Sequence, residues 1–235
     1  MVKQELIEKS PLRILEKSTH GGVGAGNIGI IAARKGVGKT ACLVHIATDK
    51  LLQTRHVIHV SFSGKTDHIV SWYEDIFTEI SKRKNLEHAM DVHDELVKYR
   101  LIMNFGSHPS AIDYVIERIR SMAGLSGFTP DCIIVDGYDF YSGSASDIAA
   151  MKRFAGELGC EIWFSVSLTE DPLSLDKNGL PTILSAYLST VDVVILLSTG
   201  ERSVELKLVK DHDIMPVQNL NLRLDTKILL ITDED

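Results

Sequence analysis

A chain of 235 residues, 44% hydrophobic and 24% charged, is long enough to bury a core and has the make-up of an ordinary globular protein. No apolar run approaches the ~18 residues of a membrane-crossing helix, and the opening MVKQELIEKS lacks a signal-peptide core, so a cytoplasmic chain without a membrane partner is expected. A formal charge of −7 gives no general electrostatic reason for nucleic acid, and three scattered cysteines (Cys42, Cys132, Cys160) among apolar neighbours predict reduced core thiols.

Along the chain, Ser10 as N-cap, Pro11 at the first helical position and the apolar side of LRIL predict a short leading helix. HGGVGAGN then breaks regular structure. Ile28 to Ala33 is an apolar run of strand length, and KTACLVHIATDKLL behind it has helical spacing. His56 to Phe62 predicts a second strand. In TDHIVSWYEDIFTEIS, residues Ile69, Trp72, Tyr73, Ile76, Phe77 and Ile80 make one helical stripe, which reads as core rather than a platform for bases. Leu86 to Tyr99 predicts another helix and RLIMNF a third strand. Ser110 is placed to cap a helix carrying Ile112, Val115, Ile116 and Ile119. CIIVDGYDF is an apolar strand that closes on an acid. SDIAAMKRFAGEL predicts helix, EIWFSVS strand, TILSAYLSTV helix and DVVILLS strand, and RSVELKLVK and TKILLIT predict further β-structure.

Strands that alternate with helices, and are apolar without alternation, mean an α/β fold with one mostly parallel sheet covered on both faces. No linker divides the chain, so a single domain over residues 1–235 is expected. Ligands of such sheets sit at the carboxyl ends of the strands.

At one of those ends stands Ala33-Arg34-Lys35-Gly36-Val37-Gly38-Lys39-Thr40, the P-loop pattern with alanine for its first glycine. Glycines let successive backbone N–H groups curl around an anion, and the helix that follows aims its positive end at the same point. The predicted nucleotide-binding set is Lys35, Gly36, Val37, Gly38, Lys39, Thr40 and Ala41. Lys39 is expected to reach the terminal phosphates and the Thr40 hydroxyl to ligate Mg²⁺. Asp136, closing CIIVD, is the expected partner acid for the metal, with Asp139 as a substitute; Lys39 and Asp136 are the candidate catalytic residues.

With these motifs the chain resembles the RecA-type ATPases, in particular the KaiC and DnaB-like branches. LRILEKSTHGGVGAGNIGIIAARKGVGKTACLVHIA is similar to their leading segment, LIMNFGSHPSAIDYVIERIRSM and PDCIIVD to their strand, helix and acid-bearing strand, and ILSAYLSTVDVVILLSTGERSVELKLVKDHDIMP to their closing helix, strand and hairpin. The resemblance implies a sheet ordered 5-1-4-3-2 with a C-terminal β-hairpin extension, ATP with Mg²⁺ as ligands, and self-association as a hexamer, another ring or a filament.

The chain departs from that family at three places. Ser63 and Gly64 stand where relatives carry the water-positioning glutamate, and neither is a general base at neutral pH. Asp67, farther on, has the first turn of a helix to cap. Relatives carry a Lys-x-Arg pair that reaches a neighbouring subunit's phosphate; here Lys210-Asp211-His212 keeps the lysine and replaces the arginine fork with a ring that is mostly neutral at pH 7, so Lys210 and His212 are the candidate trans-acting residues. The loops YDFYSGSASD and LTEDPLSLDKNGLP hold one lysine and several acids, which suits phosphate backbones poorly and disfavours nucleic acid. Tyr138, Phe140 and Tyr141 then read as packing or interface residues.

The expected function is an ATP-dependent switch or slow ATPase. One alternative is a competent oligomeric motor in which Asp67, Glu74 or Asp139 positions the water. A small-molecule kinase is a further alternative, although such kinases need a lid of clustered arginines and this chain scatters its own. The spacings His56/His59 and His88/His93 fail the geometry of a shared metal.

Overall fold

The computed structural model describes residues 2–62, 66–83, 86, 88–106, 112–170, 172–200 and 203–233. In chain order these form α1 (Val2–Glu8), α2 (Leu12–Ser18), β1 (Ile28–Arg34), α3 (Lys39–Leu52), β2 (Val57–Ser61), α4 (Thr66–Arg83), α5 (Ala89–Lys98), β3 (Arg100–Asn104), α6 (Ile112–Ser126), β4 (Cys132–Asp136), α7 (Ala145–Leu158) and β5 (Glu161–Leu168). A 3-10 turn (Thr182–Tyr187) then leads into β6 (Val193–Thr199), β7 (Val204–Asp211), β8 (Gln218–Asp225) and β9 (Leu230–Asp233).

All nine strands belong to one sheet, ordered β3-β2-β4-β5-β1-β6-β7-β8-β9. From β3 to β6 every pairing is parallel, and β7 to β9 continue as an antiparallel meander. The expected order 5-1-4-3-2 describes the inner parallel strands only when β3 is left out of the count. With β3 counted, the order from that edge is 3-2-4-5-1-6. The α5–β3 segment adds an outer strand beyond β2, closed by the pairing of Val57–Ser61 with Arg100–Asn104.

Burial on both faces explains why the central strands have no solvent-facing side and are mostly apolar without alternation. Ile28, Ile30 and Ala32 of β1, Ile58 and Val60 of β2, Ile133 and Val135 of β4 and Ile162, Phe164 and Val166 of β5 pack into one apolar layer with α6 and α7. Ile31 and Ala33, Val57, Cys132 and Ile134 face the other layer, with α3 and α4. Each large side chain buried this completely stabilises the fold by roughly 1.5–3 kcal/mol. In α4 the aromatic stripe is core: Ile69, Tyr73, Ile76 and Phe77 are buried, with Trp72 and Ile80 packed on their cluster. α7 is set by its ends, a capping box in which Ser144 Oγ and Asp147 exchange bonds, and Gly159 in the left-handed conformation at the C-cap.

Several boundaries differ from expectation. α1 was not predicted, and α2 begins at Leu12, with Ser10 Oγ still accepting the Leu12 N–H at 3.3 Å. TILSAYLSTV makes only a 3-10 turn over Thr182–Tyr187, which buries Leu184 and Tyr187 three positions apart, and a further turn over residues 188–190 precedes β6. In TKILLIT the strand starts only at Leu230. QNLNLRLD, absent from the sequence-based expectation, forms β8 with Leu220, Leu222 and Leu224 inward and polar residues between them. Ser110, Ser63 and Gly64 lie outside the described residues.

The meander wraps back toward α3. Leu224 is fully buried against the loop before α3, and the Ile231 N–H of β9 donates to His45 Nδ1 of α3 at 3.0 Å. The three cysteines are buried and unbridged, and burial pushes the Cys42 and Cys160 thiols up to about 12. No helix among the described residues is long and apolar enough to cross a membrane.

Candidate functional site

β1 runs out at Arg34, and the chain turns through Lys35, Gly36, Val37 and Gly38 before α3 begins at Lys39. Gly36 and Gly38 have φ of +81° and +116°, which glycine alone adopts without strain. Gly38 has a second constraint: a Cβ there would stand 2.2 Å from Leu224 Cδ2. As N-cap it offers no side chain, so the first N–H groups of α3 and the positive end of this 14-residue helix remain for an outside acceptor.

Lys39 is 8% exposed, and its Nζ donates to the carbonyls of Ala33 and Arg34 at 3.2 and 3.1 Å. These bonds fold the side chain back over the loop and leave a third proton for another acceptor. Burial lowers the Lys39 pKa from the ordinary lysine value, and the charge of Asp136 opposes that shift only in part. An ammonium in this condition gains from an arriving anion.

The parallel register carries the second half of the site. β4 ends at Asp136, beside β2 on one side and β5 on the other. Thr40 Oγ1 donates to Asp136 Oδ2 at 2.8 Å, a contact between residues 96 apart in the chain. The other carboxylate oxygen accepts from Ser165 Oγ at 2.6 Å, and Ser165 Oγ itself accepts the Gly137 N–H at 2.9 Å. Lys39, Thr40 and Asp136, predicted from separate motifs, therefore meet at one edge of the sheet. Ser165 is a site residue that sequence reasoning missed. Its only signal is a small hydroxyl at an inward position of the otherwise apolar strand EIWFSVS, and it gains meaning once Phe164 is paired with Val135, which brings the next rung to Asp136.

The donor set suits Mg²⁺, which takes oxygen ligands, keeps several waters and completes its shell with phosphate oxygens. Thr40 and Asp136 would hold it, and it would neutralise charge on the β- and γ-phosphates. Among the described residues no group of three or more His, Cys, Asp or Glu side chains could hold a metal on its own, so a metal held by these two would need further oxygens from a bound ligand.

Two of the three acids considered for water positioning, Asp139 and Glu74, are otherwise engaged. Asp139 accepts from the Tyr141 N–H at 2.9 Å and Ser142 Oγ at 2.7 Å, and the Ser142 bond with the neighbouring amides holds its pKa below the ordinary carboxylate value. Glu74 pairs with His93 at 2.6 Å and lies 3.6 Å from Arg100. Asp67 is exposed in the first turn of α4.

Lys210 and His212 are not brought to the phosphate loop. Asp211 is paired with Val193, and Val193 with Gly29, so this corner lies level with the start of β1, while the loop follows its end. Lys210 Nζ donates to the His212 carbonyl, His212 Nδ1 is 2.7 Å from Asp211 Oδ1, and His20 Nδ1 is 2.5 Å from the other oxygen. Asp211 is buried, and the cluster ties the glycine-rich leader to the β7–β8 turn.

Tyr138, Phe140 and Tyr141 pack locally. Phe140 is buried edge-on against Phe164 and Tyr187, Tyr138 OH donates to Asp147 at 2.8 Å, and Tyr141 OH accepts the Thr169 N–H at 3.1 Å.

A scan against protein-family models finds no match for this chain, and a search of curated proteins finds none.

Proposed function

We propose that the chain is a RecA-type P-loop protein that binds Mg-ATP and works as a nucleotide-dependent switch or slow ATPase. The carrying observation is the Thr40–Asp136 hydrogen bond beside the folded-back Lys39: three side chains from two motifs converge where a helix N-terminus offers uncapped amides. ATP is preferred over other triphosphates through the family resemblance.

Weak turnover follows from the state of the acids that could position a water. Asp139 and Glu74 already serve as acceptors for neighbouring groups, which supports a switch over the competent motor. In a ring or filament, Lys210 and His212 would have to leave their present bonds to act on a neighbour's phosphate. The loops flanking β4 and β5 remain poor in cations, so nucleic acid stays the less favoured partner.

Calorimetry with Mg-ATP, steady-state hydrolysis and light scattering on one sample test this reading. Uptake of one Mg-ATP per chain, lost in Lys39→Ala, with slow turnover and a mass that changes with nucleotide, is the expected result. Absence of uptake by the folded wild-type chain overturns it, and rapid turnover abolished by Asp67→Asn would move the assignment to a motor.

A further inference from the structure

Away from the phosphate loop, α1, the middle of α3, the end of α4 and β9 enclose a cavity of about 350 Å³. All four residues of β9 line it. Successive strand side chains point to opposite faces, so four in a row share one cavity through their backbone edge. The hydrogen bonds agree. Ile231 N–H donates to His45 Nδ1 and not to β8, which makes Leu224–Ile231 a non-hydrogen-bonded rung. By the same alternation, the Ile231 C=O and the Asp233 N–H lie on that outer edge, and no bond among the described residues uses either.

We propose that this cavity is a second small-molecule site, which takes a purine-type nucleobase by pairing the acceptor–donor edge of the base with the Asp233 N–H and the Ile231 C=O. A carbonyl at one strand position and an N–H two positions on match the exocyclic N6–H donor and the N1 acceptor of adenine. Two further polar groups lie in the wall. His45 is 4% exposed, and because its Nδ1 accepts a backbone N–H the ring's proton is on Nε2, a donor. Burial holds this imidazole at about 4, so it stays neutral. Asp49 is 2% exposed; its Oδ2 is bound by Arg13 and Gln53, while Oδ1 is a buried acceptor without a hydrogen-bond partner. Leu6, Leu52 and Ile80 supply apolar walls for the faces of a flat ring. Lys9 and Arg83 stand at the lining as cations for a phosphate tail, each already near an acid, Glu5 at 2.5 Å and Asp225 at 3.9 Å. A volume of this size belongs to the range of small-molecule pockets.

The site is separate from the phosphate loop and does not rest on the reading of that loop. No residue from Ala33 to Ala41 lines the cavity. Between them stands a buried cross-strand pair: Leu224, which contacts Gly38, and Ile231, which lines the cavity.

Titration of the Lys39→Ala chain with adenosine, AMP and 1-methyladenosine tests the proposal, because that background lacks the phosphate-loop lysine. Expected are saturable binding of one adenosine or AMP per chain, at least tenfold weaker binding of 1-methyladenosine, whose ring acceptor is blocked, and a several-fold loss for AMP but not adenosine in Arg83→Ala. Leu52→Trp, which fills the cavity, is expected to remove adenosine binding while the Lys39-containing chain still takes up Mg-ATP. No binding of adenosine or AMP at millimolar concentration overturns the proposal, as does equal affinity for 1-methyladenosine. Loss of Mg-ATP uptake in a folded Leu52→Trp chain also overturns it, since the cavity would then house the base of the loop-bound nucleotide. If Leu52→Trp does not fold, the three-ligand series on Lys39→Ala decides.

Discussion

The two faces of the central sheet are built from the same four strands but do different work. On the α6–α7 side the inward residues of β1, β2, β4 and β5 are aliphatic or phenylalanine almost without exception. On the α3 side, alternate positions of the same strands carry His59, Ser61, Asp136, Glu161, Trp163 and Ser165, and α3 adds Lys39, His45, Thr48 and Asp49. Several polar atoms there, among them His59 Nε2, Thr48 Oγ1, Asp49 Oδ1 and Trp163 Nε1, are buried without a hydrogen-bond partner. Each such group works against stability by about 1–3 kcal/mol unless a ligand or water meets it. One face therefore supplies the stability that lets the other keep polar groups inside.

Breaking the apolar face gives the largest effect. Phe164→Ala removes a fully buried ring and is expected to destabilise by about 3–5 kcal/mol in denaturant unfolding, with little change in Mg-ATP affinity for the molecules that remain folded. Acid attacks the polar face. His45 and His59 are held at about 4 against an ordinary 6.5, through burial in both cases. Their folded values are depressed, so the unfolded chain binds more protons between those limits. The stability they allow is complete above about 6.5 and is lost as pH falls toward 4, by up to roughly 3 kcal/mol for each group. His45→Asn, whose side-chain oxygen can still accept the Ile231 N–H, is expected to remove a large part of that slope; an unchanged slope in an unfolding series from pH 7 to 4 would remove His45 from the account.

The remaining changes sharpen the contrast by separating binding from folding. Lys39→Ala is expected to weaken Mg-ATP by at least ~100-fold, about 2.7 kcal/mol, with little loss of thermal stability because the side chain is itself a desolvated cation. Ser165→Ala leaves the Gly137 N–H and one oxygen of Asp136 without their partner, which is expected to cost about 1 kcal/mol of stability. The same change should weaken Mg²⁺-dependent uptake several-fold more than metal-free uptake, measured by parallel titrations with and without the metal.

The contrast also marks what the sequence reveals. The parallel core was legible because burial on both faces leaves strands such as CIIVD and IGIIAA nearly all apolar, and the turn between β1 and α3 because its glycines and lysine have fixed spacing. Ser165 was hidden because a single serine in a strand is unremarkable until a partner 29 positions away is placed beside it. β8 was hidden for another reason: its leucines alternate with Asn and Arg as in a half-exposed strand, a weaker pattern than the runs before it. The β9 cavity rests on backbone edge groups, which no side-chain pattern encodes.

The contact between Leu224 and Gly38 has a consequence for how the molecule is made. During synthesis the glycine loop leaves the ribosome well before β8, so a nascent chain that has reached only β6 holds the turn without the leucine that backs it. The turn can therefore gain its backing only after the parallel strands have been made, and completion of the meander is the step that fixes its packing.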